Sequence, residues 1–307
     1  MKETSKWFSI GAVGVLLPYF LLSAYTDGEI SALRIVPQAR VLFVGDMMFD
    51  RYIRTVMERH GGDYVFSCSG SLFLHMDTVV GNLEGPITDT LSVSKGSVAG
   101  SSDNFVFTFP PMVAALLSEY NVGIVTLGNN HIGNMGWDGV ATTKEHLSRE
   151  EVGFFGGLAG DEPVHRQEIG RVPLSFVGYN EFGGNSARYV AELVQQEYEL
   201  GRVVVVYAHW GDEYVDSSAR LRPIADLFIE SGAALVVGSH PHVVLGSEEI
   251  KGVPVYYSLG NFIFDQYWDE SVTRGLALET YFSRAGVKKV VEHPVELMSD
   301  GRTCGAT

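Results

Sequence analysis

The chain is 307 residues long, 46% hydrophobic and 19% charged, with a formal net charge of −15. That length and composition suit one large globular domain or two modest ones with a sizeable core. The acidic balance excludes nucleic acid as a partner, because a phosphate backbone demands clustered Lys and Arg, and it disfavours docking flat on an anionic membrane.

Trp7 to Tyr25 carries no charge, and Lys2 and Lys6 precede it. Nineteen helical residues at about 1.5 Å each reach roughly 28 Å, close to the hydrocarbon thickness of a bilayer. A cleaved signal peptide would have a shorter apolar core ending in small residues, and Leu22 stands where a small residue is needed. Residues 7–25 are therefore predicted to form an uncleaved transmembrane helix. Lysines before it and Asp27 with Glu29 after it place residues 1–6 in the cytoplasm. The expectation is a single-pass protein of the cell membrane with its main domain outside. Residues 26–39 read as a linker, 40–298 as the folded domain and 299–307 as a disordered tail. Cys68 and Cys304 are too few for a thiolate zinc cage, and nothing in their spacing argues for or against a disulfide.

From Arg40 onward, short apolar runs alternate with helical patterns, which argues for α/β packing with helices covering a sheet. Six of these runs stop at metal-ligand residue types. Val41–Val44 meets Gly45-Asp46, Val79-Val80 meets Gly81-Asn82-Leu83-Glu84, and Ile124–Leu127 leads to Asn129-Asn130-His131. Val203–Ala208 leads to His209-Trp210-Gly211, Leu235–Val237 to Gly238-Ser239-His240-Pro241-His242, and Val255–Leu259 to Gly260-Asn261-Phe262. Polar residues at the carboxyl ends of buried strands sit where open α/β sheets place ligands. Between the runs, Pro111–Tyr120, Thr142–Glu151 and Ile224–Ser231 are amphipathic helices, and Gly183–Arg202 is a polar one. Thr88–Ser102, rich in Ser, Thr and Gly, is predicted to be a surface loop beside the site.

Each junction has a plain reading beside the functional one. Asp46 is suited to capping the next helix and Glu84 to a solvated turn before Pro86. Asn129 and Asn130 are turn formers, and a lone His209 at a strand end is an ordinary buried histidine. Collected in one place, however, these side chains make a hydrolytic metal site, in which a carboxylate bridges two ions held also by imidazoles. His131, next to an amide ligand, suits a general acid that protonates a leaving oxygen. Arg51 suits either an anion clamp or an exposed helix position.

Asn82-Leu83-Glu84-Gly85-Pro86, Asn129-Asn130-His131, His209-Trp210-Gly211-Asp212-Glu213-Tyr214, His240-Pro241-His242 and Ser258-Leu259-Gly260-Asn261-Phe262-Ile263-Phe264-Asp265 occur in that order. Together they resemble the bacterial capsule-synthesis CapA family, which is linked to poly-γ-glutamate and belongs to the calcineurin-like metallophosphoesterase superfamily. The resemblance implies a four-layer α-β-β-α sandwich holding two divalent ions, of Mn, Zn, Fe or Mg. It implies Asp46 and His242 on the first ion, Asn130, His209 and His240 on the second, and Glu84 between them. It makes His131 the acid and turns Arg51, Asn82, Glu213 and Asn261 toward substrate.

Two positions depart from the superfamily pattern. Met48 stands where it has a histidine ligand, so the first ion is expected to be held more weakly unless a neighbour such as Asp50 replaces that ligand. A histidine restored at position 48 is expected to tighten it, provided that the local backbone matches the superfamily turn. Asn134 stands where an aspartate is usual. The resulting expectation is an extracytoplasmic metallohydrolase-like protein acting on a phosphoester or polymer bond. The other reading is a non-catalytic subunit that binds the anionic polymer within a poly-γ-glutamate synthase or export complex, beside membrane synthase or ligase subunits.

Overall fold

In the computed structural model, which describes residues 38–306, the alternation becomes two sheets clad by helices. The predicted anchor at 7–25 and nearly all of the linker lie outside the described residues. Among the described residues no helix is long and apolar enough to cross a membrane.

The first half of the chain runs β1 (Ala39–Met47), α1 (Arg51–His60), α2 (Gly70–Phe73), β2 (Thr78–Leu83), α3 (Met112–Glu119), β3 (Ile124–Thr126), α4 (Gly136–Arg149) and β4 (Gly153–Phe155). Next come β5 (Val164–Ile169), β6 (Val172–Asn180), α5 (Ala187–Glu199), β7 (Val203–His209), α6 (Arg222–Glu230) and β8 (Ala233–Ser239). The chain closes with β9 (Val244–Ile250), β10 (Val253–Leu259), β11 (Asn261–Ile263), α7 (Glu270–Thr273), β12 (Arg274–Ser283), β13 (Gly286–Leu297) and β14 (Thr303–Gly305). One sheet has the order β14-β13-β12-β1-β2-β3-β4, with β11 paired to β1, and the other is β5-β6-β7-β8-β10-β9.

Alternation along the strands sorts side chains into three apolar clusters. Phe43, Val80, Phe176, Val205 and Leu278 lie in the cluster between the two sheets. Leu42, Val79 and Val125 point the other way, onto α1, α3 and α4, while Val204, Val206 and Val236 face α5 and α6. The layers therefore run helices, sheet, sheet, helices. β1, β2, β3 and β4 are mutually parallel, as are β6, β7, β8 and β10, so their carboxyl ends collect at one edge of each sheet.

Two contacts bring those edges together. The buried Tyr207 hydroxyl on β7 donates to the Val44 carbonyl on β1 at 2.6 Å. Gly45 packs so closely that a Cβ there would lie 1.9 Å from the Gly260 carbonyl oxygen, which leaves room only for glycine. The Asp46 amide then donates to that same oxygen at 3.1 Å, and β11 aligns Asn261 with Asp46.

Two expectations are corrected. The tail predicted to be disordered at 299–307 is ordered over its described residues, 299–306: Thr303–Gly305 pairs antiparallel with Val295–Leu297, and Cys304 is disulfide-bonded to Cys68. An edge strand and a covalent tie order a segment whose Gly-rich composition suggested none. α4 also begins six residues earlier than the amphipathic pattern, at Gly136, because the 3₁₀ turn Ile132–Met135 feeds directly into it.

Candidate metal centre

All six predicted junctions end at one place, the sixth through Asn261, which opens β11 beside Asp46. Asp46 lies near the end of β1, Glu84 just after β2, Asn130 and His131 after β3, His209 at the end of β7, and His240 and His242 after β8. Glu84, His209 and His240 offer ligand atoms that lie within 4.8 Å of one another. His209 Nε2 is 2.9 Å from Asn130 Oδ1 and 3.6 Å from Glu84 Oε1, and His242 Nδ1 is 3.5 Å from Asp46 Oδ2.

Backbone geometry aims the two loop histidines. His240 has φ 94° and His242 φ 59°, a region that L-residues rarely adopt and that a surrounding structure must hold in place. Part of the hold is visible: the His240 amide donates to Asp46 Oδ2 at 3.1 Å. The His240 ring lies against Phe182, with centroids 4.1 Å apart, and 4.7 Å from the His209 ring.

Asn82 and Asn261 were expected to face substrate, but both are fully buried and lie behind the donor atoms. Asn82 Nδ2 donates to Asp46 Oδ1 at 2.7 Å and to Glu84, and its Oδ1 accepts from Asn129 Nδ2 at 3.0 Å. Asn261 Nδ2 donates to the carbonyls of His242 and Val272 and to Gln266, so its Oδ1 is the atom 2.9 Å from His242 Nδ1. His242 must then carry its proton on Nδ1, which leaves the Nε2 lone pair for a ligand role. Arg51 lies over His131 through Phe107, and Glu213 stands exposed on the loop after β7.

The two departures also resolve. Met48 is fully buried in the apolar cluster under α1, where its sulfur accepts from the Asp50 amide at 3.0 Å. Asp50 does not replace the missing histidine, because it is the N-cap of α1. Its carboxylate accepts from the Arg51 amide, Arg54 Nε, Ser92 Oγ and the Thr108 amide. The expected gain from Met48→His is thus overturned: the substitution places an imidazole in the core. We predict that it lowers unfolding stability by about 1–3 kcal/mol and leaves metal affinity no tighter. Urea melts with calorimetric metal titration check this, and a tighter first site at unchanged stability would contradict it.

Asn134 takes the place of the usual aspartate in a readable way. The Phe107 amide can only donate, and it does so to Asn134 Oδ1 at 2.7 Å. His131 Nδ1, 3.2 Å from the same oxygen, must therefore carry a proton. A neutral partner orients the ring without adding charge.

The electrostatics follow from burial and crowding. Burial alone would lift the Asp46 carboxyl, but the hydrogen bond and charge of His242, with His209 and Asn82, bring it down to about 2. Glu84 is pushed well above the ordinary carboxylate range, first by burial and then by the Asp46 charge. Burial drives His209 well below the usual imidazole value, and it lowers His131 and His240 to about 4. The Glu84 Oε1 and His240 Nδ1 atoms are buried without any hydrogen-bond partner. Two lone-pair donors left unsatisfied beside a neutral imidazole fit a divalent cation, since burying such groups unpaired is costly.

A seventh junction escaped the sequence reading. β6 ends in Asn180-Glu181-Phe182, where Asn180 Nδ2 donates to the Asn129 carbonyl at 3.1 Å and Glu181 accepts from the Gly211 amide at 2.9 Å. Its signal was the same apolar run meeting Asn and Glu. Asn129 was likewise more than a turn former, because its Oδ1 accepts the amides of His131 and Ile132 and so fixes the loop that carries both His131 and Asn130.

Most of the chain is similar in sequence to known proteins. The chain is 27% identical over 327 aligned residues to the PGA biosynthesis protein CapA of Bacillus subtilis (strain 168), covering 96% of this chain and 82% of that protein. It is 26% identical over 269 residues to the capsule biosynthesis protein CapA of Bacillus anthracis, covering 78% of this chain and 63% of that protein. Residues 40–266 match the family described as bacterial capsule synthesis protein PGA_cap, and with most of its length inside that match the chain belongs to this family.

Proposed function

We propose that this protein is a metal-dependent hydrolase of the metallophosphoesterase type that works outside the cytoplasmic membrane in capsule or poly-γ-glutamate production. The observation that carries the reading is the pair of orphaned buried donors, Glu84 Oε1 and His240 Nδ1, set beside His209. Asn130, His209, His240 and Glu84 would hold one divalent ion, and Asp46, His242 and Glu84 a second, drawn from Mn, Zn, Fe or Mg. Such ions, when bound, supply an acidified water and neutralise charge on a phosphoester or polymer bond.

The chain's own residues do the rest. Arg51, held between Phe107 and Phe264 and ion-paired with Asp265, would turn its remaining N–H groups to an anionic oxygen. Neutral His131, with its proton fixed on Nδ1, takes a second proton from solvent on Nε2 and gives it to the leaving oxygen. An anionic group beside it favours the protonated state.

Metal-loaded protein should hydrolyse bis(p-nitrophenyl) phosphate, and a chelator should stop the reaction. Tight binding of poly-γ-glutamate without any turnover would instead make the protein a polymer-binding subunit.

The disulfide between Cys68 and Cys304 supports the extracytoplasmic placement, since such bonds persist in oxidising compartments. Protease added to spheroplasts should digest the body, and amino-terminal sequencing of intact protein should find residues 1–25 retained. A mature chain starting near Tyr25 would remove the anchor, and a body protected from protease would remove the placement.

A further inference from the structure

A groove of ≈ 380 Å³ opens beside Arg51, between the amino end of α1, the Ser94–Asn104 loop and the segment from Asp265 to Trp268. That volume accommodates a ligand of one or two rings. The groove adjoins the centre, with two buried aromatic side chains, Phe107 and Phe264, standing between them. The Arg51 guanidinium carbon lies 5.1 Å from the Phe107 ring and 5.3 Å from the Phe264 ring. Phe107 in turn lies 4.3 Å from the His131 ring, and Phe264 lies 4.8 Å from the His242 ring.

The lining limits the ligand. Among the described residues, Arg51 and Asp265 are the only charged ones that line it, and they are paired with each other. A poly-γ-glutamate segment would bring one carboxylate per residue to a wall with no free cation, on a chain of net charge −15. The remaining wall is hydroxyl and amide, from residues such as Ser97 and Asn104, with two aromatic faces. Trp268 is 63% exposed and Tyr52 is 40% exposed. Aromatic faces beside hydroxyl and amide groups match the C–H face and the hydroxyls of a sugar. Arg51 Nε is buried at this wall without a hydrogen-bond partner.

We propose that this groove receives an uncharged glycosyl unit whose attached phosphate or other anionic group reaches the carboxylate–histidine centre. The anionic end rests on the hydrolase reading above, and the ring rests on the groove alone.

Saturation-transfer NMR on the full chain in a sugar-free detergent tests the two parts separately. Methyl glucoside should be saturated by the protein with or without Mn²⁺. Trp268→Ala should abolish most of that signal, and so should Ala99→Phe, which fills the groove from its exposed loop, with near-UV circular dichroism confirming that both variants fold. With Mn²⁺ present, glucose 1-phosphate should bind roughly tenfold more tightly than inorganic phosphate. No saturation of methyl glucoside, or the same saturation in both variants, overturns the groove assignment. Stronger saturation of uridine or of a γ-linked glutamate trimer also overturns it, in favour of a base or of the polymer. Equal affinity for glucose 1-phosphate and phosphate overturns the link between groove and centre. Methyl glucoside held while inorganic phosphate fails to bind the Mn²⁺-loaded chain sinks the hydrolase reading and supports the groove.

Discussion

His131→Ala is expected to keep the metal content of the unaltered protein while phosphodiester hydrolysis falls by about 10²–10⁴-fold, the usual contribution of a positioned acid–base group. The reason is spatial. His131 Nδ1 is committed to Asn134, its ring lies against Phe107, and it stands outside the Glu84, His209 and His240 group. His240→Ala removes one of that group's three donors and should lose metal and activity together. Elemental analysis of dialysed protein beside initial rates distinguishes the two. If His131→Ala sheds metal as badly as His240→Ala, the division between acid and ligand is wrong.

Glu84→Gln should raise the stability of the metal-free protein while weakening its hold on metal. Burial and the neighbouring Asp46 charge lift the Glu84 pKa well above its ordinary 4.5, so the native state retains a proton that the unfolded chain gives up. The sign follows from linkage: metal-free stability falls as pH rises from the unfolded value through the raised one. Asp46, lowered to about 2, runs the other way, and its contribution is lost only as pH falls below its ordinary 3.8. Near neutral pH the amide removes the Glu84 penalty. The metal-free variant should gain about 1–2 kcal/mol, the common scale of a trade between stability and function. Urea unfolding of chelated protein at pH 5 and pH 8 measures this. The unaltered protein should lose stability between those values and the variant should lose less. Identical curves would mean that the Glu84 carboxylate carries no penalty in the native state.

What the sequence by itself determined was the set of strand ends. Val41–Val44, Val203–Ala208 and Leu235–Val237 are short, apolar, β-branched runs that read as buried strands, and each runs into a ligand type. In parallel sheets the carboxyl ends share an edge, so strand direction alone predicts that Asp46, Glu84, Asn130, His209, His240 and His242 converge. Residue type also made the family legible.

What only the tertiary structure decided was which way each side chain points and what stands behind it. Met48 follows Asp46 by two positions, but β1 ends at Met47 and its side chain turns into the core under α1. Asn82 and Asn261 have the same chemistry as Asn130, yet they are wired behind the donors, and spacing carries no information about depth. The hairpin of β12 and β13 and the short β14 lack a distinctive run, since Glu292, Glu296 and Lys289 interrupt the outer strand. Their order comes from long-range pairing and from the bond between Cys68 and Cys304, a partner 236 positions away that no local pattern specifies.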